Sequence, residues 1–320
     1  MLKPDYQNSI TDISGVQVGH FTLAEGEIQT GVTVILPYPL NVRNRKLFIG
    51  SFASGGWNEW TGLHVAQDFG TFSSPIVLCN TTTVGIAYDA LISFGHQREE
   101  GLPIDNAWPP IVIGIDDGYL NDLRRRRITH DNILQTIHSA KNQSAENGSV
   151  GIGRGLCAFG GKGGAGEASS MIDMNGANFT IGALVAANGG KTFHDGESAA
   201  KNLTSSFVII LATDAPLLPE QLRGLAEAAV RGLDEVSLEF SDRQLALAFS
   251  TSNTIDQAFS DSFQLFKEKR WADELLSPLF DAAAAVSRAA LANGLRAATP
   301  VTGRKGRTAH PVKIDPEMAK

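Results

Sequence analysis

The chain has 320 residues, of which 19% are charged and 42% hydrophobic, with 33 glycines and a formal net charge of −7. This length allows one large domain or two ordinary ones, each with a sizeable core, and the negative balance argues against nucleic acid, because phosphate binding needs a cationic face. Two cysteines, Cys79 and Cys157, are too few for a disulfide framework and sit in apolar or glycine-rich settings where a buried thiol is expected. The N-terminal residues lack a signal-type apolar core and no run approaches the roughly 18 apolar residues of a membrane span, so the expectation is a soluble, cytoplasmic protein without membrane contact.

From Ile10 to Ala90 short β-rich runs alternate with glycine or asparagine turns: residues 31–36, 47–52 and 75–78 predict strands, and 61–68 and 86–94 predict short helices. Residues 109–115 read as a strand closed by Asp116-Asp117-Gly118, and the basic run Arg124 to Arg127 as solvated surface. Thr129 is placed to cap a helix reaching Ala140, with Ile133 and Ile137 on its apolar side. The glycine-dense stretch 151–166 is no phosphate loop: Gly163 follows Lys162 where Ser or Thr is required, and Leu156 occupies the first glycine position. The passage Gly190-Lys191-Thr192 fails likewise, with Val185 at that position.

Residues 168–174 and 178–187 predict a hairpin around Asn175-Gly176, and 188–204 a flexible polar connection. The apolar run from Phe207 to Leu211, ending in Thr213-Asp214, reads as a short strand buried on both faces, with Ser205-Ser206 at its mouth. A hydroxyl held by a rigid strand suits a nucleophile when a base is near; the local pattern alone favours a turn or cap serine. Residues 219–231 predict an amphipathic helix with Pro219 in its first turn and Gly232 after its last. Residues 244–250 predict a strand, and 275–293 a long alanine-rich helix interrupted only by Pro278 near its start. No linker and no repeat divides the chain, so residues 1–320 are expected to form one domain.

The sequence has no Gly-x-Ser-x-Gly elbow and no His-Glu-x-x-His, and its seven histidines lack metal-ligand spacing, so neither a metal nor a cofactor is expected. His194-Asp195 reads as loop, since adjacent side chains rarely aim at one target.

Ser206 with the run to Leu217 resembles the start of the second chain of the DmpA-type β-aminopeptidases, self-cleaving hydrolases related to the nylon-oligomer hydrolases. Six further blocks match in the same order: Ile10 to His20, Thr30 to Pro37, Gly118-Tyr119-Leu120-Asn121-Asp122, Gly160 to Gly166, Thr180 to Asn188, and Ala248-Phe249-Ser250-Thr251-Ser252-Asn253. The resemblance implies a four-layer αββα sandwich of the N-terminal-nucleophile type, assembled into homo-oligomers, that hydrolyses an amide bond in small peptides or peptide-like amides. It implies scission between Ser205 and Ser206, giving residues 1–205 and 206–320. The freed α-amine, with a pKa near 8, would then serve as base for its own hydroxyl.

Asn188 matches the family's oxyanion asparagine, and Lys162 a lysine that the oligomer hydrolases place near the nucleophile, where a cation favours the free-base amine. Read without the family, Asn188-Gly189-Gly190 is a turn and Lys162 a surface lysine in a glycine turn. Three departures stand out. Asp116 replaces a site tyrosine; Asp242-Arg243-Gln244 replaces Ser-x-acid, leaving Gln244 neutral; and Ser205 precedes the cut where glycine or asparagine is familiar. Asp116 and Asp242 are the candidate substrate-binding residues, with Asp116 suited to pair with a substrate ammonium or with Lys162. Two other readings stay open: an amidase for internal amides, of the nylon-oligomer or pantetheine hydrolase kind, and an unprocessed, non-catalytic homologue.

Overall fold

The computed structural model describes residues 6–38, 45–54, 59–98, 109–189, 207–234, 244–256 and 268–314. Its strands in chain order are β1 (Gln17–Glu25), β2 (Ile28–Leu36), β3 (Arg45–Ser54), β4 (Glu59–Thr61), β5 (Thr71–Phe72), β6 (Ile76–Asn80), β7 (Ile111–Ile115), β8 (Cys157–Ala158), β9 (Gly161–Lys162), β10 (Gly164–Met174), β11 (Ala177–Ala187), β12 (Phe207–Thr213), β13 (Gln244–Asp256), β14 (Val301–Thr302) and β15 (Thr308–Ala309). The helices are α1 (Leu63–Phe69), α2 (Val84–Arg98), α3 (His130–Ser139), α4 (Pro219–Asp234) and α5 (Ser277–Arg296).

Two large sheets form, one ordered β1-β2-β6-β7-β4 and the other β10-β11-β12-β13-β3-β5. Period-two alternation distributes their side chains among three cores. Val208, Ile210 and Ala212 meet Ile76, Leu78, Ile111 and Ile113 between the sheets. On its other face β12 sends Phe207, Ile209 and Leu211 against Leu222 and Leu225 of α4 and Leu279 and Val286 of α5. Val77, Cys79 and Val112 of the first sheet pack outward on Ala87 and Leu91 of α2 and Ile133 and Ile137 of α3. The result is the expected αββα layering.

β12 is buried throughout, as its composition requires. It runs antiparallel to β11, with Ala186 opposite Val208, and parallel to β13, with Phe207 opposite Gln244. A parallel pair needs a crossover, and α4 lies between β12 and β13 in the chain. Close backbone packing explains part of the glycine content. A Cβ on Gly166 of β10 would lie 2.2 Å from Gly294 N and from Ala290 O, both in α5.

Several boundaries differ from the sequence reading, each for a physical reason. α4 continues through Gly232 to Asp234, because Gly232 accommodates α5, where a Cβ would fall 2.6 Å from Ala284, and does not end the helix. Pro278 does not interrupt α5; it occupies the first turn, where its missing N–H costs nothing. Leu275 belongs to a separate 3-10 turn, and the helix predicted at 61–68 starts at Leu63 because Thr61 is a β4 residue. Thr129 caps α3 as expected. Of the predicted connection 188–204, residues 190–204 lie outside the described residues, as do Ser205, Ser206, His194, Asp195 and Asp242. Among the described residues no helix is long and apolar enough to cross a membrane.

The N-terminal turn at Ile10–Asp12 is fastened to β10 by carboxylates. Ser169 Oγ donates to Asp12 Oδ2 over 2.6 Å, and Ser9 Oγ donates to Glu167, which is only 2% exposed. Burial pushes the Glu167 carboxyl from 4.5 to about 7, against the opposing pull of the Ser9 bond. An acid whose folded pKa is raised favours folding when protonated, so stability should fall as pH rises from about 4.5 to about 7 and level off above that. Glu167→Gln has no group to titrate. Thermal melts should show its Tm gaining on the parent between pH 5 and pH 8, and a Tm difference that does not change with pH would remove this titration.

Candidate active site

The site is built where β11 ends and β12 begins. The register that sets Ala186 opposite Val208 puts Phe207 beside Ala187, the last residue of β11, immediately before Asn188. Ser206 is covalently joined to Phe207 and lies outside the described residues.

Asn188 is 3% exposed and its amide is held at both ends. Its Oδ1 accepts from Cys157 N at 3.2 Å, and its Nδ2 donates to Asp116 O at 2.8 Å. The backbone beside it is tied as well, Gly189 N donating to Cys157 O and Phe159 N to Gly189 O, each over 2.7 Å. An amide nitrogen carries two protons, and among the described residues Asp116 takes one of them. The bonds to Cys157 N and Asp116 O fix the rotation of the Asn188 amide.

Two turns hold Asn188. The first joins β8 to β9 through Phe159 and Gly160, both at positive φ (53° and 80°), the backbone of a tight two-residue hairpin. The Phe159 ring lies 5.7 Å from that of Phe207. The same hairpin ends in Lys162, which is fully buried. Its Nζ donates to three carbonyls, Gly153 O at 2.6 Å and Leu156 O and Gly163 O at 2.8 Å each. The reading of Lys162 as a surface lysine is therefore corrected, because the glycine turns fold around it and turn their carbonyls inward. Burial pushes its pKa down to about 7, with Cys157 and Asp117 opposing and Arg154 adding to the fall. Its ammonium is committed to carbonyls, and the suggested Lys162–Asp116 pair does not form.

The second turn follows β7. Asp116 stands at the strand end, exposed, and its Oδ1 accepts from Gly118 N at 2.8 Å. It reaches Asn188 through its carbonyl. Asp117, which the sequence reading passed over, is 1% exposed. It accepts from Thr30 Oγ1 at 2.5 Å and from Asn121 Nδ2 at 2.9 Å. Burial raises its pKa to about 7, and the bonds from Thr30 and Asn121 oppose that rise.

A C-terminal strap, β14 to β15, was also not anticipated. Arg304 N donates to Leu120 O at 2.7 Å, Arg304 Nη1 to Gly118 O at 2.8 Å and Arg307 Nη1 to Tyr119 O at 3.3 Å. The Arg307 guanidinium lies 4.8 Å from the centre of the Tyr119 ring, and Lys162 N donates to His310 O. One strap thus grips both turns that orient Asn188.

Gln244, in the position where an acid was expected, is buried and donates to Asp234 Oδ1 at 2.6 Å. The Arg124 and Arg125 side chains pair with Asp122, in keeping with a solvated surface run. Among the described residues no group of three or more His, Cys, Asp or Glu side chains could hold a metal.

Residues 8–309 match Peptidase family S58. The β-peptidyl aminopeptidase BapA of Sphingosinicella microcystinivorans is 31% identical, over 96% of this chain and 85% of its own length. Among solved structures, a Burkholderia sp. β-aminopeptidase is 32% identical with a TM-score of 0.86, covering 98% of this chain and 93% of that one. The L-aminopeptidase D-Ala-esterase/amidase of Ochrobactrum anthropi, described as a prototype for the serine aminopeptidases and a variant of the Ntn hydrolase fold, is 28% identical with a TM-score of 0.88 at the same coverage. With that fold and that match, the chain belongs to peptidase family S58 and is a hydrolase of peptide bonds.

Proposed function

We propose that this protein is a self-processing serine aminopeptidase or amidase in which Ser206, freed as an N-terminus, is the nucleophile. The observation that carries the reading is the immobilised Asn188 amide, one residue past the Ala187 that lies beside Phe207, held by Cys157 N and Asp116 O. Ser206 Oγ attacks the substrate carbonyl carbon while its own α-amine takes the hydroxyl proton. Asn188 Nδ2 stabilises the oxyanion. As the C–N bond breaks, the ammonium returns the proton to the leaving amine, and water then hydrolyses the ester. The relatives named as β-aminopeptidases support a substrate that is a small peptide or peptide-like amide with a free amino group.

Lys162 supports this chemistry by shaping the hairpin that carries Cys157, and its charge favours the unprotonated amine. Asp116 is assigned to the substrate ammonium, since an ionised carboxylate beside a developing oxyanion would oppose catalysis. Asp242, two residues before the Gln244 that pairs with Phe207, is assigned to substrate binding.

Intact mass and N-terminal sequencing should find fragments 1–205 and 206–320 that co-purify. Ser206→Ala should abolish both cutting and hydrolysis, whereas Ser205→Ala should at most slow cutting. An active preparation made only of uncut chain would sink the mechanism. Asn188→Ala should lower turnover by roughly 10² to 10³ with the fold intact, the usual loss for one oxyanion donor; an undiminished rate would leave Asn188 a turn residue. Asp116→Asn should raise KM for amine-bearing amides more than it lowers kcat, as loss of ground-state binding does, and equal kinetics for free and N-acylated substrates would remove that role.

A further inference from the structure

We propose that Asp117 is a positioning residue for the reaction, acting through Asn188; this rests on the reading of Asn188 as the oxyanion donor. The link is a peptide plane. The Asp116 carbonyl that holds Asn188 Nδ2 belongs to the same rigid amide as Asp117 N, so whatever fixes Asp117 fixes the direction of that carbonyl.

Asp117 is fixed from several sides. Its Oδ2 accepts from Thr30 Oγ1 of β2, which itself accepts from Asn80 Nδ2 at the end of β6 over 3.0 Å. Its Oδ1 accepts from Asn121 Nδ2, and Asn121 Oδ1 accepts from Gln29 N at 3.2 Å, a second tie to β2. Its carbonyl closes the turn, accepting from Leu120 N and Asn121 N. The first sheet thereby becomes the reference frame for a carbonyl pointing into the site.

The other anchor of Asn188 abuts the same side chain. Gly155 packs directly on Asp117, where a Cβ would come within 2.7 Å of Asp117 Cβ and 2.4 Å of Gln29 O. Two residues beyond Gly155 is Cys157, whose N–H holds Asn188 Oδ1. Asp117 thus sits between the acceptor and the donor that together set the rotation of the Asn188 amide. A turn alone would not need a buried carboxyl, whose desolvation is costly. A carboxylate offers two oxygens that only accept, matching two donors that approach from separate elements.

The test is a double-mutant cycle on the full chain, with hydrolysis of an amino-acid p-nitroanilide normalised to the fraction of chain cut. Asp117→Asn should lower kcat by about 10- to 100-fold, the scale of an ångström-level misplacement, with KM within about twofold. In the Asn188→Ala background the same substitution should change kcat by less than about twofold, because its route of action is already gone. Thr30→Val should reproduce part of the loss, and Thr30→Ser, which keeps the donor, should restore it. If Asp117→Asn fails to fold by circular dichroism, the Thr30→Val cycle against Asn188→Ala decides in the same way. Equal losses in both backgrounds, or an unchanged kcat in the first, would overturn the positioning role. Full activity of Asn188→Ala alone would instead remove the oxyanion reading, and this proposal with it.

Discussion

Seven consecutive side chains of β12 are buried, and such a strand is stable only if both of its faces are covered. Each large apolar side chain removed from water contributes roughly 1.5–3 kcal/mol, so Phe207, Ile209 and Leu211 demand a helical layer and Val208 and Ile210 a second sheet. The layering follows from this demand, and so does the precision of the site. Phe207, at the start of this strand, is itself fully buried, and rigid elements are where reacting groups are best held.

Around that strand the backbone does the fine work. The stretch from Gly151 to Gly166 resembles a nucleotide loop in composition, but it presents the opposite polarity. A phosphate cradle turns N–H groups toward an anion, whereas here Gly153, Leu156 and Gly163 turn carbonyl oxygens toward the Lys162 ammonium. A buried ammonium with all three protons satisfied organises this hairpin as a bound cation organises a loop. Burial brings its pKa down to about 7, the loss of water outweighing the opposing charges of Cys157 and Asp117.

Much of this was legible in the sequence. Period-two runs and a strong Asn-Gly turn located β10, β11 and β12 to within a few residues, because burial of a pleated face leaves a repeating trace. Asn188 and Lys162 were singled out from ordered family blocks, and Asp116 as a departure from the family pattern. What stayed hidden depends on contacts between distant segments. Nothing near Gly232 announces that α5 will pack there, so the glycine looked like a helix end. Asp117 resembles any Asp-Gly turn until Thr30 and Asn121 are brought to it, and the Arg304–Arg307 strap acts on a turn nearly two hundred residues earlier. Read without the family, Lys162 looked like a surface lysine, because local composition does not record which way a glycine turn faces its carbonyls.

The order of the second sheet sets a folding problem. β12 and β13, the last two strands of this sheet in the chain, lie between β11, which directly precedes them, and β3, which comes early. β3 and β11 cannot complete the sheet by joining each other. They must wait, with unpaired edges that invite wrong partners, until the two central strands insert. The β3–β13 pairing spans most of the chain, and contacts of such sequence separation fold slowly, since loop-closure entropy is paid before they form. The mouth of β12 therefore takes shape only when the last strand is seated between its neighbours. A chain that cuts itself there would carry a built-in delay, its chemistry withheld until the fold that depends on an unbroken connection has closed.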